Sequence, residues 1–273
     1  FRELLPLAAA GDVESQVKIA TMYQDGAGTR QDYAEALHWF KEAAERGSAT
    51  AARGVGEIYR DGKGVPQDYV QAMRWYMAAA EKGNVTAQYN IGMLYLDGLG
   101  VDRNEREAVV WISRAAELDN KTAQLQMGKL YRDGRGVPQD MKRAIGWFRR
   151  AAVGGNAIAE YSLGDMYIEG LGVNRNPAIA VAWYRKAAER GNATGQHKLG
   201  KMYRDGLGVA ADNAVAFEWF RKSAEQGNAW GQYYLAVMYL DGRGVARDYG
   251  AARTWLDKSI GQGNDAAQNK LGD

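Results

Sequence analysis

The string MYRDGLGV at Met202 to Val209 carries an Asp-Gly-x-Gly core, a pattern able to serve two kinds of chemistry. A glycine-rich loop cradles phosphate when it follows a strand and opens a helix, because its backbone amides then converge on the anion. A glycine just past the last apolar residue of a helix instead supplies the left-handed C-terminal cap that side chains with a Cβ resist. The motif recurs as YQDGAGT, YRDGKGV, YLDGLGV, YRDGRGV, YIEGLGV and YLDGRGV. No segment alternates with period two over a strand's length, so no strand precedes any copy, and Gly98 reads as a cap. Asp25, Asp61 and Asp97 travel with this turn and are assigned to it in preference to acid–base work.

Other reactive constellations are missing. The two histidines, His38 and His197, stand more than four repeats apart and suggest no shared metal site; His197 is expected to be a groove contact and His38 a solvated residue. Zero cysteines remove disulfides, thiolate ligands and thiol nucleophiles. No nucleophile, base and orienting group recur together, so no catalytic residue, metal or cofactor is assigned. With 35 Lys and Arg against 33 Asp and Glu, the charge of +2 gives no global field for nucleic acid. No apolar run reaches the 18 or so residues of a membrane span, and the opening FRELLPLAAAG lacks the charged front and long apolar middle of a signal peptide.

The elements that position these residues are set by a period. Trp39, Trp75, Trp111, Trp147, Trp183, Trp219 and Trp255 step by 36 without an insertion, and Tyr23 to Tyr239, Gly26 to Gly242 and Ala36 to Ala252 keep the same step. Within one unit, Ala87, Ile91, Leu94 and Tyr95 share the face of a first helix, here helix A; Ala108, Trp111, Ile112 and Ala115 share that of a second, helix B. Asp68, Asp140, Asp212 and Asp248 stand where helix B needs an N-cap, and the Asn of each Gly-Asn pair, such as Asn84, does the same for helix A. A single hairpin buries too little to fold alone, so the tryptophans and paired alanines such as Ala79-Ala80 are expected to hide between stacked neighbours.

The combination Ala-x-x-x-Leu-Gly-x-Met-Tyr, Asp-Gly-x-Gly-Val, Ala-x-x-Trp and Ala-Ala-x-x-Gly-Asn resembles the Sel1-like repeat. Residues 193–228 carry all of it, except that Gly195 and Ser223 stand where the pattern has alanine. Leu118-Asp119, Ala236 and Ser259-Ile260 are further departures that put local spacing in question. The resemblance implies an all-α fold: a right-handed α/α superhelical solenoid of seven 36-residue helix-turn-helix repeats, with helix A lining the concave side. The expected division is one solenoid over 1–273, with a partial helix at 1–11, repeats at 12–47, 48–83, 84–119, 120–155, 156–191, 192–227 and 228–263, and a partial helix at 264–273. It also implies a non-catalytic adaptor or scaffold for proteins, in a bacterial envelope or secreted setting in preference to the cytoplasm.

Function should then lie on helix faces turned from the core. At about 100° per residue, positions 89, 93 and 96 oppose Ala87, Ile91 and Leu94. Of the 21 positions generated by the repeat, ten are large and apolar and six are basic against two acids, whereas the outward face of helix B is balanced in charge. Tyr89, Met93, Leu96, Tyr161, Ile168, Tyr233, Val237 and Leu240 give apolar anchors; Arg60, Lys129, Arg132, Lys201 and Arg204 give basic rungs in alternate repeats; His197 lies in the same series. Trp230, at a position held by Thr in Thr50, Thr86, Thr122 and Thr194, strengthens the last anchor. The expected partner is a protein segment, apolar with interspersed acidic residues, and not nucleic acid. Three alternatives stand beside it: the apolar stripe packs against adjacent A helices, it joins copies of the chain as a self-associating spacer, or, as the family resemblance implies, the chain is a secreted or envelope inhibitor-type binder with an immunity or host-factor-binding role.

Overall fold

The computed structural model describes residues 1–272, and every regular element among them is an α-helix. The chain divides into two compact units, Phe1–Gln139 and Asp140–Asp273. The first holds α1 (Leu4–Ala9), α2 (Val13–Asp25), α3 (Tyr33–Glu45), α4 (Ala49–Asp61), α5 (Tyr69–Glu81), α6 (Val85–Asp97), α7 (Glu105–Glu117) and α8 (Lys121–Asp133). The second holds α9 (Met141–Val153), α10 (Ala157–Glu169), α11 (Pro177–Glu189), α12 (Ala193–Asp205), α13 (Asn213–Glu225), α14 (Ala229–Asp241), α15 (Tyr249–Ile260) and α16 (Asp265–Gly272). From α2 to α14 the even-numbered helices are the A type and the odd-numbered the B type; residue 273, the last of the expected terminal helix, lies outside the described residues. Each unit is a solenoid-like stack in which a helix packs chiefly on the helices before and after it.

Local chemistry sets the helix ends. Asn84 Oδ1 accepts from the Ala87 amide at 2.9 Å to start α6, and Asp68 Oδ1 accepts from Gln71 at 2.9 Å to start α5. Gly98, at φ 67°, ends α6 in the left-handed conformation, and its N–H donates to the Leu94 carbonyl. The chain is then drawn back by a bond from the Asn104 amide to the Tyr95 carbonyl, 2.9 Å, which the Asp68 amide repeats on Tyr59 and the Asp212 amide on Tyr203. The second glycine of the motif does something else. A Cβ on Gly136 would lie 2.2 Å from the Glu105 carbonyl oxygen, so this glycine lets one turn lie on the first residue of the preceding helix B. The Leu118-Asp119 departure leaves helix spacing intact, because Asp119 takes the left-handed conformation itself, at φ 60°.

Packing corrects one expectation. The recurring tryptophans are half-buried, and the residue after each one is the deep core: Phe40, Tyr76, Ile112, Phe148, Tyr184, Phe220 and Leu256 are at most 4% exposed. The indole lies at the edge of the hairpin, where its outer face takes a cation one turn on. Arg114 stands 4.8 Å from Trp111, Lys186 4.5 Å from Trp183 and Lys258 4.2 Å from Trp255. Fully buried alanines such as Ala79, Ala115 and Ala187 let the helices close around this core. Where serine replaces alanine, the hydroxyl is satisfied: Ser223 and Ser259 donate to the Ala193 and Ala229 carbonyls at 2.7 and 2.8 Å.

Candidate functional site

In the first unit Arg60, Tyr89 and Met93 of the expected contact residues gather at the end of α4 and along α6, while Lys129 and Arg132 lie apart on α8. Arg60, Tyr89 and Met93 line a cleft of about 540 Å³ together with Tyr69, Asn90 and Asp97. Tyr89 is half-buried, and burial followed by the Asp97 charge pushes its phenol above the usual range. Leu96, expected on the exposed face, is only 2% exposed and belongs to the core. The reason is general to a stack: the far side of an isolated helix A is the side its neighbours cover. Direct approaches of α10 to α12 and of α12 to α14 show this in the second unit. Tyr161 and Ile168 accordingly pack on a cluster containing Tyr184 and Leu199, and Tyr233 and Leu240 pack on Leu256 and Ala267. They are half-buried, so packing accounts for part of the apolar stripe.

The basic rungs also differ from expectation. Arg60 Nε donates to Asp61 Oδ1 at 2.7 Å, Arg132 Nε to Asp133 Oδ1 at 2.7 Å, and Arg204 Nε to Asp205 Oδ1 at 2.6 Å. Each guanidinium at the end of a helix A turns onto the aspartate of its own glycine turn. Arg60, with help from Lys63, holds the Asp61 carboxyl below the usual carboxylate range. Among the described residues neither Lys129 nor Lys201 forms an ion pair, so each is an uncommitted cation of its own unit. Asp165, another member of this series, accepts the Tyr184 hydroxyl at 2.7 Å and Lys198 Nζ at 2.8 Å on one oxygen, locking α10, α11 and α12 together.

The second unit carries an aromatic assembly on α14. Trp230 is 46% exposed and sits 5.9 Å from both Tyr233 (edge-on) and Tyr234 (stacked). Tyr234 is the hub: it stacks on Phe220 at 5.0 Å, His197 lies against it at 6.5 Å, and Arg204 covers it at 4.7 Å. Val237 continues the same face, half-buried. Sequence reasoning missed Tyr234, although it breaks the series Lys18, Gly54, Asn90, Gln126, Ser162, Lys198 at that repeat position. His197 is held neutral: burial first, then Lys198 and Lys201, push its pKa down to about 4. Among the described residues no group of three or more His, Asp or Glu side chains could hold a metal ion, and no helix is long and apolar enough to cross a membrane.

The model of the Sel1 repeat matches residues 13–48, 49–84, 85–120, 121–156, 157–192, 193–228 and 231–264. No curated protein matches the chain. Among solved structures, a protective antigen present in uropathogenic Escherichia coli strains, displaying an SLR fold, is 39% identical at a TM-score of 0.74, over 99% of this chain and 66% of that one. The chain thus spans just under two thirds of that relative. A Sel1 repeat protein from Oxalobacter formigenes is 34% identical at a TM-score of 0.81, over 99% of this chain and 78% of that one. An immunity protein of Pseudomonas aeruginosa shares the fold at 19% identity and a TM-score of 0.50, over 78% of this chain and 81% of that one. Seven consecutive matches, laid over helix pairs built with one set of caps and turns, make this chain a member of the Sel1-repeat family.

Proposed function

We propose that the chain is a non-catalytic scaffold that holds a protein segment on the exposed part of its helix A faces. Sel1-repeat proteins are generally protein-interaction scaffolds. The observation that carries the reading here is Trp230: a large indole 46% exposed, backed by Tyr233, Tyr234 and Phe220 and stiffened by Arg204. A rigid aromatic surface of this kind loses little entropy on binding and is the usual centre of an interaction hot spot. Apolar side chains of the partner supply the main contact. Acidic ones add to it at Lys201, since Arg204 already holds an aspartate. Replacing Trp230 and Lys201 together (Trp230→Ala, Lys201→Glu) is expected to weaken the natural partner's affinity by roughly thirtyfold or more, with helical content unchanged in circular dichroism. Equal affinity for the double variant would defeat the proposal.

A further inference from the structure

The acids of the glycine turns differ in how they are met. Asp61, Asp133 and Asp205 each hold the arginine before them, and Arg243 Nε stands 3.7 Å from Asp241. Asp97 has leucine at both of those places, Leu96 and Leu99, and among the described residues its carboxylate forms no ion pair and accepts no hydrogen bond. It is exposed, and it stands on the wall of the cleft at α4 and α6. Tyr89, Met93 and Asp97 follow at four-residue steps along one face of α6, and Tyr69 adds a second phenol ring to the lining. Both α4 and α6 end at this cleft, at Asp61 and Asp97, and a helix C-terminus carries partial negative charge. Arg60 is no counter-ion for Asp97. Its Nε is on Asp61, whose second oxygen takes Lys63 at 3.1 Å, and Lys63 lies 5.9 Å from the Tyr33 ring.

We infer that this cleft receives an arginine side chain of a bound protein segment: the guanidinium pairs with the Asp97 carboxylate and lies against the Tyr89 and Tyr69 rings, with its methylene stem on Met93. The arginine belongs to the segment of the scaffold reading above, on which this site rests. The chain performs the same chemistry on itself. Arg204 lies 4.7 Å from the Tyr234 ring while its Nε donates to Asp205 at 2.6 Å, an aromatic face on one side and a carboxylate on the other. The cleft offers both to a cation from outside. A carboxylate guest would meet Asp61 and Asp97 with Arg60 already taken, and a neutral guest gains nothing from Asp97. Arginine suits the site better than lysine, because its planar and weakly hydrated head donates twice to one carboxylate while stacking on a phenol.

The test uses the full chain and a random peptide library displayed on phage, depleted first on Asp97→Asn and then selected on the natural sequence. The expected clones carry an arginine whose replacement by citrulline, similar in shape but uncharged, weakens binding roughly tenfold or more to the natural sequence and leaves binding to Asp97→Asn unchanged. Lysine at that place should bind about threefold more weakly than arginine, and equal binding would overturn the choice of a guanidinium. Asp25→Asn makes the same charge change at an exposed turn acid that has Val17 where Asp97 has Tyr89, and it should bind as the natural sequence does. An equal loss there would reduce the effect to net charge and overturn the site. Asp97-dependent clones without a basic residue overturn it as well. A library from which no clone prefers the natural sequence to Asp97→Asn overturns the site and leaves the scaffold standing if undepleted selection still yields Trp230-dependent binders. If undepleted selection also yields none, both readings fall.

Discussion

Tyr184 and Tyr76 occupy the same place in hairpins three repeats apart, yet their hydroxyls have opposite fates. Tyr184 donates to Asp165, which Lys198 also grips, and Lys198 lies 5.8 Å from the Tyr184 ring. Around Tyr76 the corresponding acid, Glu57, is bound by Arg53, the corresponding lysine is Asn90, and the hydroxyl is left unbonded. Burial raises the phenol pKa at both sites, and the Asp165 charge adds to it at Tyr184. One backbone plan therefore supports a sealed seam in one unit and an open, polar-lined cleft in the other. Repetition fixes where a side chain stands; the few residues around it decide whether that place serves stability or recognition.

Acid should separate the two regions most strongly. The region of Lys198 also holds His197, whose folded pKa of about 4 lies below the ordinary 6.5. Between those values the unfolded chain takes up a proton that the folded chain refuses, so stability is intact above about pH 6.5 and falls as pH drops toward 4, by up to ~3 kcal/mol at about 1.4 per unit. His197→Tyr, the residue found at positions 89, 161 and 233, should remove this loss. Urea midpoints that fall equally between pH 7 and 4.5 in both proteins would show that the imidazole plays no part.

Steric substitution should give the next largest effect. A Cβ on Gly164 would lie 2.4 Å from the Tyr184 ring, and one on Gly56 2.6 Å from the Tyr76 ring. Each alanine is expected to cost about 1–3 kcal/mol. Gly164→Ala should cost more, because Asp165 tethers the ring that would have to move; matched melting curves of the two variants check the order. Smallest is the loss of the hydroxyl. Tyr184→Phe should cost about 1 kcal/mol, whereas Tyr76→Phe should be neutral or stabilising, since it deletes a group that bonds nothing. The comparison fails if chemical denaturation finds equal losses for the two.

Much of this plan was legible in the residues. The 36-residue step of Trp39 to Trp255 fixes the hairpin, and Asn84 and Gly98 fix where its first helix starts and stops, because caps act within a few residues. What escaped depends on contacts made at a distance. Leu96 faces outward on a lone helix and inward in a stack. The half-buried setting of the tryptophans, and the deeper role of Tyr76 or Phe148 beside them, follow from how far each helix B sinks against its neighbours. The neutralisation of Arg60, Arg132 and Arg204 was present in the sequence as three Arg-Asp pairs. Neighbours at i, i+1 point apart along a helix, but these sit at its end, where the side chain can fold back. Asp97 reads only as a turn residue, since the Tyr69 ring that shares its cleft comes from another helix.

The contact at the second glycine of five of the seven turns has a wider consequence. Gly100 lies on Tyr69, Gly136 on Glu105, Gly172 on Met141, Gly208 on Pro177 and Gly244 on Asn213, and each time a backbone atom of that residue is within 3 Å of where a Cβ would be. Five unlike side chains stand at one joint because the joint is made of main chain. At this joint a hairpin can thus be duplicated, exchanged or deleted without changing the residue it rests on, provided the excision respects the 36-residue phase. Lineages carrying such modules are free to change array length by recombination while each module's exterior diversifies on its own.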